Sequence, residues 1–246
     1  MHYYGSSFGY LIAMLLCLLF SGIASAKVKS AYAKYSRVPT SSGFSGQEVA
    51  ARLLRMNGVT DISIGRVSGT LTDHYAPAKA VVNLSASTAE GRSVASAAVA
   101  AHEIGHVMQK YEGWGPYRLR TALVPIVNIG TKLAMPLVLV GLVLDSIVRT
   151  SSPDLGFHVA MIGVILYGGA FLFALVTLPV ELDASRRAGR MLVAAGVLTE
   201  AELPGAQEVL SAAARTYLAS LLTSFVSFLR FLLYVLSLFG RNDRRR

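Results

Sequence analysis

Two histidines and one glutamate near the middle of the chain have a spacing suited to metal-dependent hydrolysis. His102, Glu103 and His106 form the pattern HExxH. Residues four positions apart lie on the same face of an α-helix, so both imidazoles can reach one Zn²⁺ ion. The glutamate then lies beside the open coordination position, where it can act as a general base. The pattern predicts a catalytic zinc site with His102 and His106 as ligands and Glu103 as the base.

The sequence around the motif predicts the helix that this chemistry requires. Residues 93–110 are rich in alanine, the strongest helix former, and Ser93 is a typical N-cap. By typical residue usage, a chance HExxH is expected in about one per cent of chains of this length. A histidine pair that only fills the core would leave the intervening carboxylate buried at a cost. Coincidence is therefore the weaker interpretation.

A catalytic zinc ion requires a third protein ligand, and the chain contains few candidates. The single cysteine, Cys17, lies in an apolar block and cannot build a thiolate site. The remaining candidates are His74, Glu112, His158, Glu181 and Asp183. Two apolar blocks separate Glu181 from the motif, and a hairpin of two spans would return Glu181 to the same membrane face. A solvated carboxylate at a helix start is an equally good interpretation of Glu181 from the residues alone.

Composition indicates that the chain is embedded in a membrane. Hydrophobic residues make up 53% of the 246 residues and charged residues 15%, against roughly 25% charged in an average soluble domain. The apolar residues form long blocks, and a charge in hydrocarbon costs several kcal/mol. The net charge of +9 arises largely from basic residues that flank these blocks, which is typical of a cytoplasmic membrane face. No nucleic-acid-binding motif accompanies the charge, so nucleic acid is not an expected partner.

The apolar blocks predict the membrane topology. Lysine and arginine follow the first block (8–26) but do not precede it, which favours a retained anchor over a cleaved signal peptide and an external N terminus. The blocks 133–148 and 158–178 are expected to form a transmembrane hairpin. The C-terminal run 208–239 is interrupted by Arg230 and would export a basic tail if it spanned, so an interfacial or re-entrant helix is favoured.

Between the anchor and the zinc helix the sequence predicts a small αβ domain. A helix over about 47–57 ends at Gly58. Alternating apolar residues in 62–64 and 81–84 predict two strands, with Pro77 at a turn or a sheet edge.

Taken together, the motifs resemble the YugP-like family of neutral zinc metallopeptidases of bacterial membranes. The similarity rests on VAAHEIGH, on the preceding GTLTDHY and VVNLS, and on the later LPVELDASRRA, and it covers nearly the whole chain. More distantly, the chain resembles the HtpX and CAAX prenyl protease group, in which the first glutamate of an ExxxD helix is the third ligand. The resemblance implies that Glu181 ligates zinc. It also places Ser185 where the ExxxD pattern has its aspartate. Asp183 is then a candidate to replace that aspartate in hydrogen bonding to a metal ligand.

His74 and Tyr75 are candidates for contact with substrate. The strand from Leu71 to Tyr75 resembles the edge strand of related peptidases, where an extended peptide adds by backbone pairing. Either side chain is a candidate for stabilising the oxyanion. An ordinary strand with a capping histidine is the alternative.

The sequence thus predicts an α+β integral membrane protein, mostly helical, with gluzincin-like active-site helices, a small β-sheet and transmembrane helices. The predicted segments are an N-terminal transmembrane anchor (1–26), a cytoplasmic αβ domain with the HExxH helix (27–121), a transmembrane hairpin (122–178), a third-ligand helix (179–205), and a C-terminal apolar helix with a basic tail (206–246).

The predicted function is zinc-dependent endopeptidase cleavage of membrane or membrane-proximal polypeptides at the cytoplasmic face of a bacterial inner membrane. The implied partners are a polypeptide substrate and the lipid bilayer, while a homo-oligomer or a membrane regulator is left open. A non-catalytic, zinc-stabilised membrane scaffold is one alternative, although it would not need Glu103. A transporter-like subunit is the other alternative. Such a protein should carry several polar residues in the middle of its spans, and in this sequence only Arg230 meets that description.

Overall fold

The computed structural model describes residues 2–147 and 154–243, so the turn predicted around Arg149 and the terminal arginines lie outside the described residues. In chain order the elements are α1 (His2–Tyr35), α2 (Gly46–Met56), β1 (Ser63–Val67), β2 (His74–Ala76), β3 (Val81–Ser85), α3 (Ala86–Glu90), α4 (Val94–Tyr111), α5 (Gly115–Ile147), α6 (Leu155–Ala194) and α7 (Leu203–Asp243). The chain divides into two compact units, which we call the membrane unit (1–21, 118–178 and 218–246) and the αβ unit (22–117 and 179–217).

The membrane unit is built from long apolar helices. Within the described residues, four helices, α1, α5, α6 and α7, are long and apolar enough to cross a bilayer. Their large apolar side chains, such as Leu139 and Ile165, are exposed, whereas a helix of a soluble domain would bury such a face. A Cβ at Gly141 would lie 2.5 Å from the Gly156 carbonyl oxygen, so α5 and α6 pack almost backbone to backbone.

Two helices are longer and less interrupted than the sequence predicted. A new helix was expected to start near Pro179, but α6 continues through this proline to Ala194. A proline inside a helix removes one backbone hydrogen bond, a loss that membrane helices tolerate where neighbouring groups compensate. α7 continues through Arg230, whose guanidinium lies over the Tyr10 ring at 5.1 Å, so the structure shows one continuous helix where Arg230 was expected to interrupt the run. The interfacial or re-entrant placement of this helix stays a prediction.

The αβ unit contains a three-stranded sheet in the order β1-β3-β2. β3 pairs in parallel with β1 and antiparallel with β2, so β2 is an edge strand that the sequence located only by resemblance. Pro77 lies directly after β2, in the turn to β3. The core joins sheet and helices through fully buried side chains, including Leu53 of α2, Leu84 of β3, Ile104 of α4 and Leu192 of α6. The predicted fold class, a mostly helical α+β membrane protein with a small sheet, is confirmed.

Candidate active site

The HExxH motif lies on α4, as predicted, and the helix begins at an N-cap that the sequence identified. The Ser93 hydroxyl accepts a hydrogen bond from the Ser96 backbone N–H, which satisfies one of the free donors of the first turn. Two turns later, His102 and His106 project from one face with ring centroids 4.8 Å apart and ring planes at 85°. α4 therefore positions the two imidazoles by its own geometry.

Helix α6 brings Glu181 to the two histidines. Its Oε2 atom lies 3.1 Å from His102 Nε2 and 3.3 Å from His106 Nε2. The approach depends on Gly105, because a Cβ at this position would lie 2.6 Å from the carbonyl oxygen of Ala184. The glycine inside the motif thus lets α4 and α6 touch. Sequence reasoning did not single it out, although a glycine inside a helix costs about 1 kcal/mol and invites a packing explanation.

The three residues fit a zinc ion in chemistry and in spacing. Ligand atoms of His102, His106 and Glu181 all lie within 4.8 Å of one another. Two imidazoles and one carboxylate are a common donor set of catalytic zinc, and bonds of about 2.0–2.2 Å in a tetrahedron place ligand atoms roughly 3.3–3.5 Å apart. The Glu181 carboxylate is 2% exposed and requires a positive partner at that depth.

The buried Glu181 carboxylate also affects the pKa of His106. Burial lowers its pKa, but the hydrogen bond and the charge of Glu181 raise it, and the net result is a pKa above the usual histidine value. In the metal-free protein a proton can thus supply part of the positive charge that a metal ion would bring.

Glu103 lies next to this cluster and turns toward the sheet. Its side chain is buried, and Oε2 accepts a hydrogen bond of 2.9 Å from the Tyr75 backbone N–H. The candidate base is therefore held by the edge strand β2. The Tyr75 hydroxyl accepts a hydrogen bond from Lys110, while the His74 ring contacts the Thr72 carbonyl oxygen and the Asn83 amide. Of the two residues proposed to contact substrate, Tyr75 is the one that the structure brings to Glu103.

Each histidine also has a partner at its Nδ1 atom. Ser185 Oγ lies 3.2 Å from His102 Nδ1, so Ser185, predicted to replace the aspartate of the related group, contacts His102 directly. Gln109 Oε1 lies 3.0 Å from His106 Nδ1. Asp183 reaches His106 through Gln109, whose Nε2 donates to its carboxylate. Sequence reasoning missed Gln109, yet its position three residues after His106 puts it on the same helix face.

The other candidate ligands have different roles. Glu112, at the C-terminal end of α4, forms a 2.7 Å ion pair with Arg187, which also donates to Asp183. His158 lies in the membrane unit, with its ring 5.9 Å from that of Phe157. Among the described residues, the group close enough to hold a metal is His102, His106 and Glu181.

Comparison with known proteins agrees with this chemistry. Residues 10–236 match the family described as "Putative neutral zinc metallopeptidase". The chain is also 42% identical over 217 residues to a protein of Bacillus subtilis (strain 168) named "Putative membrane protease YugP", over 88% of this chain and 91% of that protein. No solved structure gives a significant match.

Proposed function

Because the chain belongs to the neutral zinc metallopeptidase family, we propose that it is a zinc-dependent membrane endopeptidase with His102, His106 and Glu181 as metal ligands. The observation that carries the proposal is the convergence of two imidazole nitrogens from α4 and one buried carboxylate from α6. Glu103 is the proposed general base. The proposed substrates are polypeptides in or near the membrane, since four helices in the part of the chain that the structure describes are apolar enough to span it.

The residues divide the chemistry between them. Zn²⁺ bound by the three ligands would lower the pKa of a coordinated water molecule and polarise the scissile carbonyl group. Glu103 accepts the proton of the attacking water and delivers it to the leaving amine. The Tyr75 N–H holds one oxygen of Glu103, which restricts the direction of the carboxylate.

The edge of β2 is suited to hold an extended substrate. Tyr75 is paired with Val82 of β3, and its N–H points away from β3 toward Glu103. Along an antiparallel strand, the N–H and C=O of one residue point to the same side, so the Tyr75 carbonyl also points away from β3. A peptide that adds to β2 by backbone pairing would lie beside the proposed base.

A zinc-stabilised scaffold explains the site less well. Structural zinc sites are normally closed by four protein ligands, whereas catalytic sites have three and one open position. Within residues 2–147 and 154–243, three side chains that could ligate a metal come together, with the Glu103 carboxylate beside them. This composition favours catalysis.

Removal of the metal tests the proposal directly. The detergent-purified protein is expected to cleave a casein-type substrate, to lose this activity after treatment with a chelator, and to regain it with one equivalent of Zn²⁺. Mg²⁺ is the control, because it prefers oxygen ligands and octahedral geometry and should not restore cleavage. Full cleavage by protein shown to be metal-free would contradict the proposal.

The orientation of the active site is a further part of the proposal. We place the αβ unit on the cytoplasmic side of a bacterial inner membrane, because lysine and arginine follow the first span and do not precede it. In a Cys17→Ser background, a Lys79→Cys variant should react with an impermeant maleimide only after lysis, since Lys79 is exposed in the αβ unit. A Ser152→Cys variant should react in intact cells, because residue 152 follows α5 and precedes α6 in the sequence. Labelling of the Lys79→Cys variant from outside would reverse this orientation.

A further inference from the structure

Gln109 is a buried polar residue that the proposed reaction does not use. It lies on α4 one turn after His106, and its side chain is fully excluded from solvent. A buried amide that lacks hydrogen-bond partners costs roughly 1–3 kcal/mol. The partners of this amide therefore explain why a glutamine is tolerated between two packed helices.

Both the nitrogen and the oxygen of the Gln109 amide have hydrogen-bond partners. Its Nε2 donates to the Val180 carbonyl oxygen at 2.8 Å and to Asp183 Oδ2 at 3.0 Å, and its Oε1 faces His106 Nδ1 at 3.0 Å. Arg187 donates to the same carboxylate of Asp183, which favours its ionised form, a pure acceptor. Since Nε2 faces two acceptors, turning the amide over would place an oxygen against both of them. Oε1 must therefore face His106.

This arrangement selects one tautomer of His106. An oxygen acceptor at Nδ1 requires a hydrogen there, which leaves the lone pair of a neutral imidazole on Nε2. Nε2 is the atom that lies 3.3 Å from Glu181 Oε2. The Nδ1 partner of His102 differs, because the hydroxyl of Ser185 can donate or accept and so selects neither tautomer.

We propose that Gln109 is the positioning residue of the zinc centre, a role that rests on the zinc-dependent function proposed above. It holds His106 as the Nδ1-protonated tautomer with Nε2 directed at the metal position. It also ties His106 to Val180, which directly precedes Glu181, and to Asp183, which lies two positions after it. One amide thereby sets both the ring orientation of a ligand on α4 and its distance from the ligand on α6.

A Gln109→Met variant tests the role, because methionine has a similar length but neither donates nor accepts in this way. Zinc affinity, measured by competition with a chelator, should fall about 10–100-fold, the usual effect of losing a partner of a ligating histidine. The visible absorption spectrum of the Co²⁺-substituted protein should also change, because it reports the ligand geometry. The matched control is Gln47→Met, which alters an exposed glutamine that contacts Arg66 and should leave both measurements unchanged.

A rescue separates positioning from a general effect on folding. Gln109→Glu retains an acceptor for His106 but sets a second carboxylate against Asp183, so the affinity for zinc should fall. Adding Asp183→Asn supplies an amide that can donate to the new carboxylate, and it restores the original net charge. The double variant should therefore recover part of the zinc affinity and of the Co²⁺ spectrum lost in Gln109→Glu, while the hydrogen bond to the Val180 carbonyl oxygen stays lost.

The outcomes distinguish this inference from the proposed function. Wild-type zinc affinity and an unchanged Co²⁺ spectrum in Gln109→Met would overturn the role of Gln109 while leaving the zinc peptidase proposal intact. A double variant no better than Gln109→Glu would also overturn it. If the wild-type protein binds no zinc, both proposals fail together.

Discussion

A Glu103→Gln variant is expected to bind zinc like the wild type and to cleave a casein-type substrate about 10²–10⁴-fold more slowly, the usual contribution of a general acid–base group. The amide has the shape of the carboxylate, and its oxygen can still accept the hydrogen bond from the Tyr75 N–H. It cannot accept the proton of the attacking water. The substitution therefore removes the proposed chemistry and leaves the ligands in place.

Zinc content and initial cleavage rates of the purified proteins check this expectation. Glu90→Gln is the matched control, because Glu90 is an exposed carboxylate that pairs with Arg66. It should retain wild-type rates, since exposed ion pairs contribute little to stability. Cleavage by Glu103→Gln within a few-fold of the wild-type rate would show that another group is the base.

The second large effect is expected at the third ligand. Glu181→Ala should remove most of the bound zinc, because losing a ligand should cost more than the 10–100-fold typical of the groups that orient ligands. Asp183→Ala should retain most of its zinc, since Asp183 lies two positions on, roughly 200° around the helix, and reaches His106 through Gln109. Val180 still holds the Gln109 amide in that variant.

Metal analysis of both purified variants decides between the two carboxylates. Glu181→Gln provides a second test with the original side-chain shape, so loss of zinc there cannot be attributed to a cavity. Circular dichroism of the metal-free proteins should show that α4 and α6 are retained. If Asp183→Ala empties the site and Glu181→Ala does not, the assignment of the third ligand is wrong.

The local part of the site was predictable because an α-helix has a fixed period. The spacing of His102 and His106 places both rings on one face whatever surrounds the helix. The capping role of Ser93 is equally local, since its hydroxyl bonds a backbone N–H of the same turn. Amino-acid composition was sufficient for the fold class, because long apolar helices and a short alternating segment have few other stable arrangements.

Helix boundaries were less predictable. A new helix was expected near Pro179, but α6 continues through it, and Arg230 does not interrupt α7. On the scale of intrinsic helix propensity, a proline inside a helix destabilises it by about 3 kcal/mol relative to alanine. Packing and the bilayer's demand for internal hydrogen bonding can outweigh that cost, and neither is visible in a short window of sequence.

The sequence by itself determined the chemistry on α4: two imidazoles, a carboxylate between them, and the helix that aligns them. Only the tertiary structure decided which distant groups meet them. From the residues alone, a metal ligand and a solvated carboxylate were equally good interpretations of Glu181, and the family resemblance favoured the ligand. In the structure Glu181 reaches the histidines because Gly105 lets α4 touch α6 at Ala184. The contacts of Gln109 and Tyr75 have the same origin. Hydrogen bonds between elements depend on helix rotation and separation to within a fraction of an ångström, which the period of a sequence does not specify.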